Sequence, residues 1–382
     1  MMRNIRQNFY DVFATEPMLA AASPGRINLI GEHTDYNDGF VLPAAIDKKI
    51  EVTLRRSSDD MVRLYAVEFT DRYEVNLSDI APGKKVWPNY VSGVAAQLIK
   101  RGYTIGGFDA ALQGDIPVGA GLSSSAAVEC AMVFALNELF ALGIERKEMA
   151  LIAQKAEHEF AGVRCGIMDQ FASMFGKKDH VIKLDCRSLE YEYFPLDLND
   201  YIIVLMDTQV KHSLASGEYN IRRSECERGV ELIQKKYPGV KSLRDVSLAQ
   251  VEECLQDNDR QVYNRCRYVV EEIDRLLTGT KDLENGDIFS FGEKMFATHE
   301  GLSKMYEVSC DELDILVNAV KNNAAVAGAR MMGGGFGGCT INLIKESEAD
   351  ALIDTVDKIY KEKTGMNIKA WKVSIEDGTH LI

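Results

Sequence analysis

The chain has 382 residues, 46% of them hydrophobic and 27% charged, a balance that supplies packed cores and excludes a disordered protein. That length gives a prior of about two to three domains, and two is the expectation. With 44 Lys and Arg against 58 Asp and Glu, the formal charge is -14, which excludes a broad nucleic-acid or anionic-membrane surface but leaves room for one Arg aimed at one phosphate.

Residues 1–14 lack the apolar stretch of a signal sequence. The most apolar segment, 126–136, carries Glu129 and is far shorter than the roughly 20 residues that span a bilayer. Strands are expected across 49–77, where Ile50, Val52 and Leu54, then Val62, Leu64 and Ala66, alternate with other residues around a turn at Asp59 and Asp60. A helix over 89–100, a strand over 108–114, a loop over 115–121 and a helix over 123–140 follow. The next helix, 146–160, puts Met149, Ile152, Ala153, Ala156 and Phe160 on one stripe, with Glu157 about 80° off it and so at the border of the core face.

After Tyr201 the texture changes. A strand over 201–206 precedes several charged helical stretches between Glu218 and Thr278 and a breaker-rich segment over 277–286. The tail reads helix 311–322, strand 325–331, a glycine turn, strand 340–344, helix 346–363 and strand 368–373. With 201–206 as its first member this is a split β-α-β-β-α-β order. The expected division is 1–198 and 199–382. The eight cysteines show no C-x-x-C pair, which argues against zinc or a disulfide framework and for reduced thiols in the cytosol.

The strongest local signal is Pro117-Val118-Gly119-Ala120-Gly121-Leu122-Ser123-Ser124-Ser125-Ala126, between a strand and a helix. Glycines let backbone approach a ligand, hydroxyls offer hydrogen bonds, and the helix presents free N–H groups and the positive end of its dipole, so the segment can cradle phosphate. Read alone, it is equally a serine-capped turn. It lacks the lysine of a P-loop and the third glycine of a dinucleotide fingerprint. Gly333 to Gly338 does satisfy G-x-G-x-x-G, but strands flank it on both sides where a dinucleotide loop should open a helix, so a tight turn against the substrate site is expected.

The serine loop resembles the nucleotide loop of the GHMP kinases. Gly25-Arg26-Ile27-Asn28-Leu29-Ile30-Gly31-Glu32-His33-Thr34-Asp35-Tyr36 is similar to the galactokinase signature of that superfamily, and Met331-Met332-Gly333-Gly334-Gly335-Phe336-Gly337-Gly338-Cys339 resembles its third motif. The three stand in family order across nearly the whole chain. The resemblance implies an α+β fold in two parts, an N-terminal ribosomal protein S5 domain 2-like domain and a C-terminal ferredoxin-like domain with helical insertions. It also implies MgATP-dependent phosphorylation of galactose at C1, giving galactose 1-phosphate and ADP.

The same resemblance implies the site. Gly119, Ala120, Gly121, Leu122, Ser123, Ser124 and Ser125 would meet ATP. Glu32, His33, Thr34, Asp35, Gly166 and Tyr219 would meet the sugar, whose hydroxyls suit carboxylates, imidazole and phenol. Asp169, in Gly166-Ile167-Met168-Asp169-Gln170, would be the base, with Arg26 beside it to stabilise charge on the transferring group; without the resemblance Asp169 reads as a helix cap. Ser125 and Glu157 would hold Mg²⁺ through hard oxygen ligands. Trp87 and Tyr90 are weaker candidates for an adenine pocket. The remaining expectations are galactose and MgATP as ligands, no nucleic acid or membrane partner, a monomer or weak homo-oligomer, and a cytoplasmic location. The rivals are a kinase for N-acetylgalactosamine or another sugar, a non-catalytic galactose sensor, and, more distantly, a nicotinamide oxidoreductase.

Overall fold

A computed structural model describes residues 4–211 and 215–382, so Met1 to Arg3 and His212 to Leu214, the latter a few positions before Tyr219 in sequence, lie outside the described residues. The N-terminal half is built on a six-stranded sheet in the spatial order His380–Leu381, Leu19–Asn28, Pro43–Arg56, Phe108–Gly114, Met61–Ala66, Asp71–Asn76. Its neighbours are antiparallel except for the parallel pairing of Met61–Ala66 with Phe108–Gly114. The alternation read from the sequence decides which face is buried. Val52, Leu54, Val62 and Leu64 point to a core completed by the helices Val86–Lys100, Ser124–Phe140, Arg146–Ala156 and Met168–Phe175.

The strand Leu19–Asn28 was not anticipated, because Ala-Ala-Ser-Pro-Gly reads as small residues and breakers. The register shifts between Pro24 and Arg26, the kind of irregularity that re-aims a side chain. Gly25 lies there against the serine loop: a Cβ on it would come within 2.8 Å of the Leu122 carbonyl oxygen.

The C-terminal half places Lys369–Val373, Tyr201–Lys211, Gly337–Lys345 and Val326–Met331 side by side, all antiparallel. In chain order this is 4-1-3-2, the arrangement of the split motif expected from the sequence. Both faces of its first strand are buried. Val204 and Met206 meet the helices Asp311–Val320 and Ala349–Thr364. Ile203 and Leu205 enter a core shared with Ile27, Leu29, Ile46 and Leu122 of the N-terminal half. That shared core sets the two halves against each other and leaves a cleft along their seam.

The helices Ala215–Gln234, Leu248–Leu255 and Arg260–Glu284 form an insertion with its own apolar core. Two expectations are corrected here. The breaker-rich reading of 277–286 holds only at its end, because Arg260–Glu284 occupies most of the segment and the break falls at Asn285 and Gly286. Gly279 is tolerated mid-helix because a Cβ there would press to 3.3 Å against Phe291 and Lys294. Those two residues belong to the unanticipated helix Ile288–Lys304. The helix expected over 146–160 is α-helical only to Ala156 and widens into a π turn over Glu157–Ala161, a feature that often accompanies functional positions. Among the described residues no helix is long and apolar enough to cross a membrane.

Candidate active site

The serine loop, the turn after Leu19–Asn28, the π turn and the start of Met168–Phe175 converge on one cleft of about 260 Å³. Arg26, Glu32, His33, Asp35, Gly119, Gly121, Leu122, Ser123, Ser124, Ser125, Glu157, Asp169 and Tyr219 all line it, so most of the residues singled out along some 190 positions of sequence share one space. Asp169 sits in the first turn of its helix, where the dipole favours a carboxylate. Its Oδ1 accepts from Arg26 Nε at 2.7 Å and its Oδ2 from the Ser123 hydroxyl at 2.6 Å. Arg26 Nη1 donates to the Gly121 carbonyl at 2.7 Å, so one guanidinium joins the carboxylate to the loop.

Ser123 stands at the N-cap position, as the serine-capped alternative expected, but its side chain does not cap the helix. It lies in the left-handed region at φ +56°, makes no capping bond, and spends its hydroxyl on Asp169. The first-turn N–H groups of Ser124–Phe140 therefore keep their donor capacity for something other than the Ser123 side chain. The glycine turn braces the loop from behind. A Cβ on Gly121 would come within 3.2 Å of the Met332 carbonyl oxygen, and one on Gly333 within 3.2 Å of the Gly121 carbonyl oxygen; both glycines have positive φ.

Next to Asp169 the wall is acidic and aromatic. Asp35 is buried, and its Oδ1 accepts from the Tyr36 N–H at 3.0 Å. Its carboxyl is pushed up to about 7, by burial first and then by the charge of Asp169. His33 shares a hydrogen bond with Tyr36 Oη at 2.7 Å, and its ring lies 5.4 Å from that of Tyr219. Burial and then the Arg222 charge lower His33 to about 3, so the ring is neutral and can either donate to or accept from a sugar hydroxyl. Glu32 is held by Arg330 and by the Gly333 N–H, which donates to its Oε1 at 2.8 Å.

Three of the expected residues are not among those lining the cleft. Thr34 is fully buried and does not line the cleft; its hydroxyl lies 2.9 Å from the Gly31 carbonyl and 2.5 Å from the Phe40 carbonyl, closing the turn. Ala120 is buried in the shared core. Gly166 acts by what it lacks: a Cβ there would fall 2.0 Å from Asp35 Oδ2, so only glycine leaves that carboxylate its place.

At the other end of the cleft the Ser125 hydroxyl donates to Glu157 Oε1 at 2.9 Å. Gln170 Nε2 donates to Glu157 Oε2 at 2.7 Å. Burial, then the charge of Asp169, push Glu157 up to about 7. Gln170 stood inside a motif quoted from the sequence and still went unassigned. Met168 of the same motif also lines the cleft, as do Val163 and Cys165, which no sequence signal marks. Ser124 and Ser125 open on their far side onto a second, apolar pocket of about 450 Å³ lined by Trp87, Tyr90, Phe69, Val86 and Val128.

Asp35 supplies a prediction about pH. Its folded value lies above the ordinary carboxylate value of about 4, so the folded chain binds that proton more tightly and Asp35 withdraws stability as pH rises from about 4 to about 7. Asp35→Asn removes that loss, so thermal melts from pH 5 to 8 should fall less steeply for the variant, with a gap at pH 8 of up to a few kcal/mol at ~1.4 kcal/mol per pKa unit. Parallel curves would mean that Asp35 ionises at its ordinary pH.

Family models for the GHMP kinase N-terminal and C-terminal domains match residues 89–177 and 280–362, and the galactokinase galactose-binding signature matches 7–56. The chain is thus a GHMP kinase in fold. It is 39% identical to a galactokinase of Roseiflexus sp. over 98% of this chain and 95% of that protein. To a galactokinase of Thermotoga maritima it is 41% identical, over 94% and 99%. The crystal structure of Lactococcus lactis galactokinase complexed with galactose superposes with a TM-score of 0.95 at 36% identity, covering 98% of each chain. This chain belongs to the galactokinase family and is a sugar kinase.

Proposed function

We propose that this chain transfers the γ-phosphoryl group of ATP to the C1 hydroxyl of galactose. The observation that carries the reading is the position of Asp169, tied by Arg26 and Ser123 at the meeting point of an acidic, aromatic wall and a phosphate loop. The sugar fits the wall of Glu32, His33, Asp35 and Tyr219, whose acceptors and rings match several hydroxyls and one apolar face. The triphosphate fits the loop and the start of Ser124–Phe140, and the apolar pocket at Trp87 and Tyr90 suits the adenine.

The reaction needs positioning, charge neutralisation and a proton acceptor. Each oxygen of Asp169 keeps a lone pair beyond its present bond, so the carboxylate can take the proton of the C1 hydroxyl, which as a hemiacetal is more acidic than a simple alcohol. Arg26, beside the loop, meets charge developing on the transferring group. Ser125 and Glu157 are the residues that fit Mg²⁺. Among the described residues no three His, Cys, Asp or Glu side chains converge on a metal-sized site, and one hydroxyl plus one carboxylate, with substrate phosphates completing the shell, is how this cation is usually held. Bound there, it would neutralise phosphate charge. We assign residues 1–198 and 199–382 as the two domains, except that the tail returns to the first of them through its edge strand His380–Leu381, and the cytoplasm as the location.

ADP release measured over galactose, N-acetylgalactosamine, glucose, arabinose, homoserine and mevalonate tests the reading. Turnover is expected with galactose. Release only with the amino sugar would correct the substrate, and release with none would favour a sensor.

A further inference from the structure

The glycine turn and strand Val326–Met331 carry chemistry that the reaction above does not use. Arg330 is completely buried. Its Nε donates to the Leu29 carbonyl at 2.8 Å, its Nη1 to the Met331 carbonyl at 2.6 Å, and its Nη2 to the Asn28 carbonyl. Both Nη atoms also reach Glu32 Oε1, each at 3.1 Å. The Gly333 N–H adds a third donor to that oxygen at 2.8 Å, and Tyr268 Oη donates to the Glu32 carbonyl at 3.1 Å. All of these donors come from the C-terminal half, and the residue they hold, Glu32 of the N-terminal half, lines the cleft along the seam.

We propose that Arg330 and the Gly333 N–H form a carboxylate receptor that fixes Glu32 for sugar recognition, making Arg330 a positioning residue for galactose specificity. Three donors on Oε1 fix the rotation of the carboxylate and leave Oε2 as the acceptor available to a ligand in the cleft. A buried ion pair is a poor way to gain stability alone, since well-packed apolar residues often serve as well or better. Its place here, with one member on the cleft wall, points to a demand for orientation. The receptor also accounts for the turn. Gly333 must bring its N–H to Glu32 while its α-carbon passes the phosphate loop, where a Cβ would come within 3.2 Å of the Gly121 carbonyl oxygen.

The inference rests on galactose occupying this cleft, and its test separates the two. Affinities of the full chain for galactose, for its monodeoxy analogues and for MgATP are measured by calorimetry in wild type, Arg330→Gln, Arg330→Lys and Glu32→Gln. Wild type should reject the analogue lacking the hydroxyl that meets Glu32. Arg330→Gln should lose about tenfold or more for galactose, a loss typical of one hydrogen-bonding group, and should cease to discriminate against that same analogue, as Glu32→Gln does. MgATP affinity should stay within about twofold, which a general loosening of the fold would not allow. Arg330→Lys should recover part of the affinity. Unchanged galactose affinity, or an equal loss for every ligand, overturns the proposal. Wild type that binds no galactose overturns the reading of the cleft instead. If the Arg330 variants do not fold, the guanidinium N–H signals of Arg330 in the wild-type NMR spectrum decide: saturating galactose should move them, and a spectrum unmoved at Arg330 overturns the proposal.

Discussion

Asp169→Asn is expected to remove most turnover, about 10²- to 10⁴-fold for a general base, while nucleotide affinity stays near that of wild type. The substitution nearly preserves shape. An asparagine Oδ1 can still accept from Arg26 Nε, and its Nδ2 can donate to Ser123 Oγ, so both tethers survive in some form. What goes is the proton acceptor and one negative charge. That charge is the second cause, after burial, that raises Asp35 and Glu157, so its removal should also bring both groups down toward the ordinary range. The variant should therefore be inactive yet better able to carry two ionised carboxylates near neutral pH. Steady-state ADP release, nucleotide affinity and melts across pH 5 to 8 read the three effects separately. Turnover near that of wild type would take Asp169 out of the mechanism.

The pieces of this site were legible in the sequence to the degree that each was local. The serine loop, the Glu32 to Asp35 cluster and the Asp169 segment are short runs whose residue types state a chemistry, and the structure gathers most of them into one cleft. Strands over Phe108–Gly114 and Val326–Met331 followed from apolar patterning between breakers, which is why their limits came out nearly right. What the sequence leaves hidden has the opposite character. Thr34 looks like its neighbours in sequence, and only the fold turns its hydroxyl inward to the Gly31 and Phe40 carbonyls. Leu19–Asn28 hides behind Pro24 and Gly25, because a bulge beside the serine loop needs small or rigid residues that imitate a turn. Arg330 and Glu32 lie some 300 positions apart, so their pairing has no local sign, although the motif holding Gly333 is plain in the sequence. Local chemistry reads from composition and spacing; which oxygen of a carboxylate faces a ligand depends on contacts between distant segments.

Arg26→Ala is expected to lower kcat by about 10³ to 10⁵, the range for an arginine that stabilises charge on a transferring phosphoryl group. The geometry gives this side chain two duties. Through Nε it is the cation hydrogen-bonded to Asp169, and through Nη1 it holds the Gly121 carbonyl of the phosphate loop at 2.7 Å. Alanine ends both at once, leaving Asp169 among Asp35, Glu32 and Glu157 without the guanidinium that faces them. The partner carboxylate is about one-fifth exposed, so water can take over part of that role and the loss of stability should fall below the 3–5 kcal/mol typical of breaking a fully buried pair. Catalysis has no such substitute, because water at this position cannot reproduce a fixed fork aimed at both base and loop. Arg26→Lys separates the two duties: one ammonium can keep the charge beside Asp169 but cannot span to Gly121, so kcat should fall between alanine and wild type. Folding of each variant is checked by melting and nucleotide affinity, and kcat by single turnover. A folded Arg26→Ala chain within about tenfold of wild-type kcat would leave Arg26 as a structural tie alone, since that is near the smallest rate effect expected of a charge placed at the transition state.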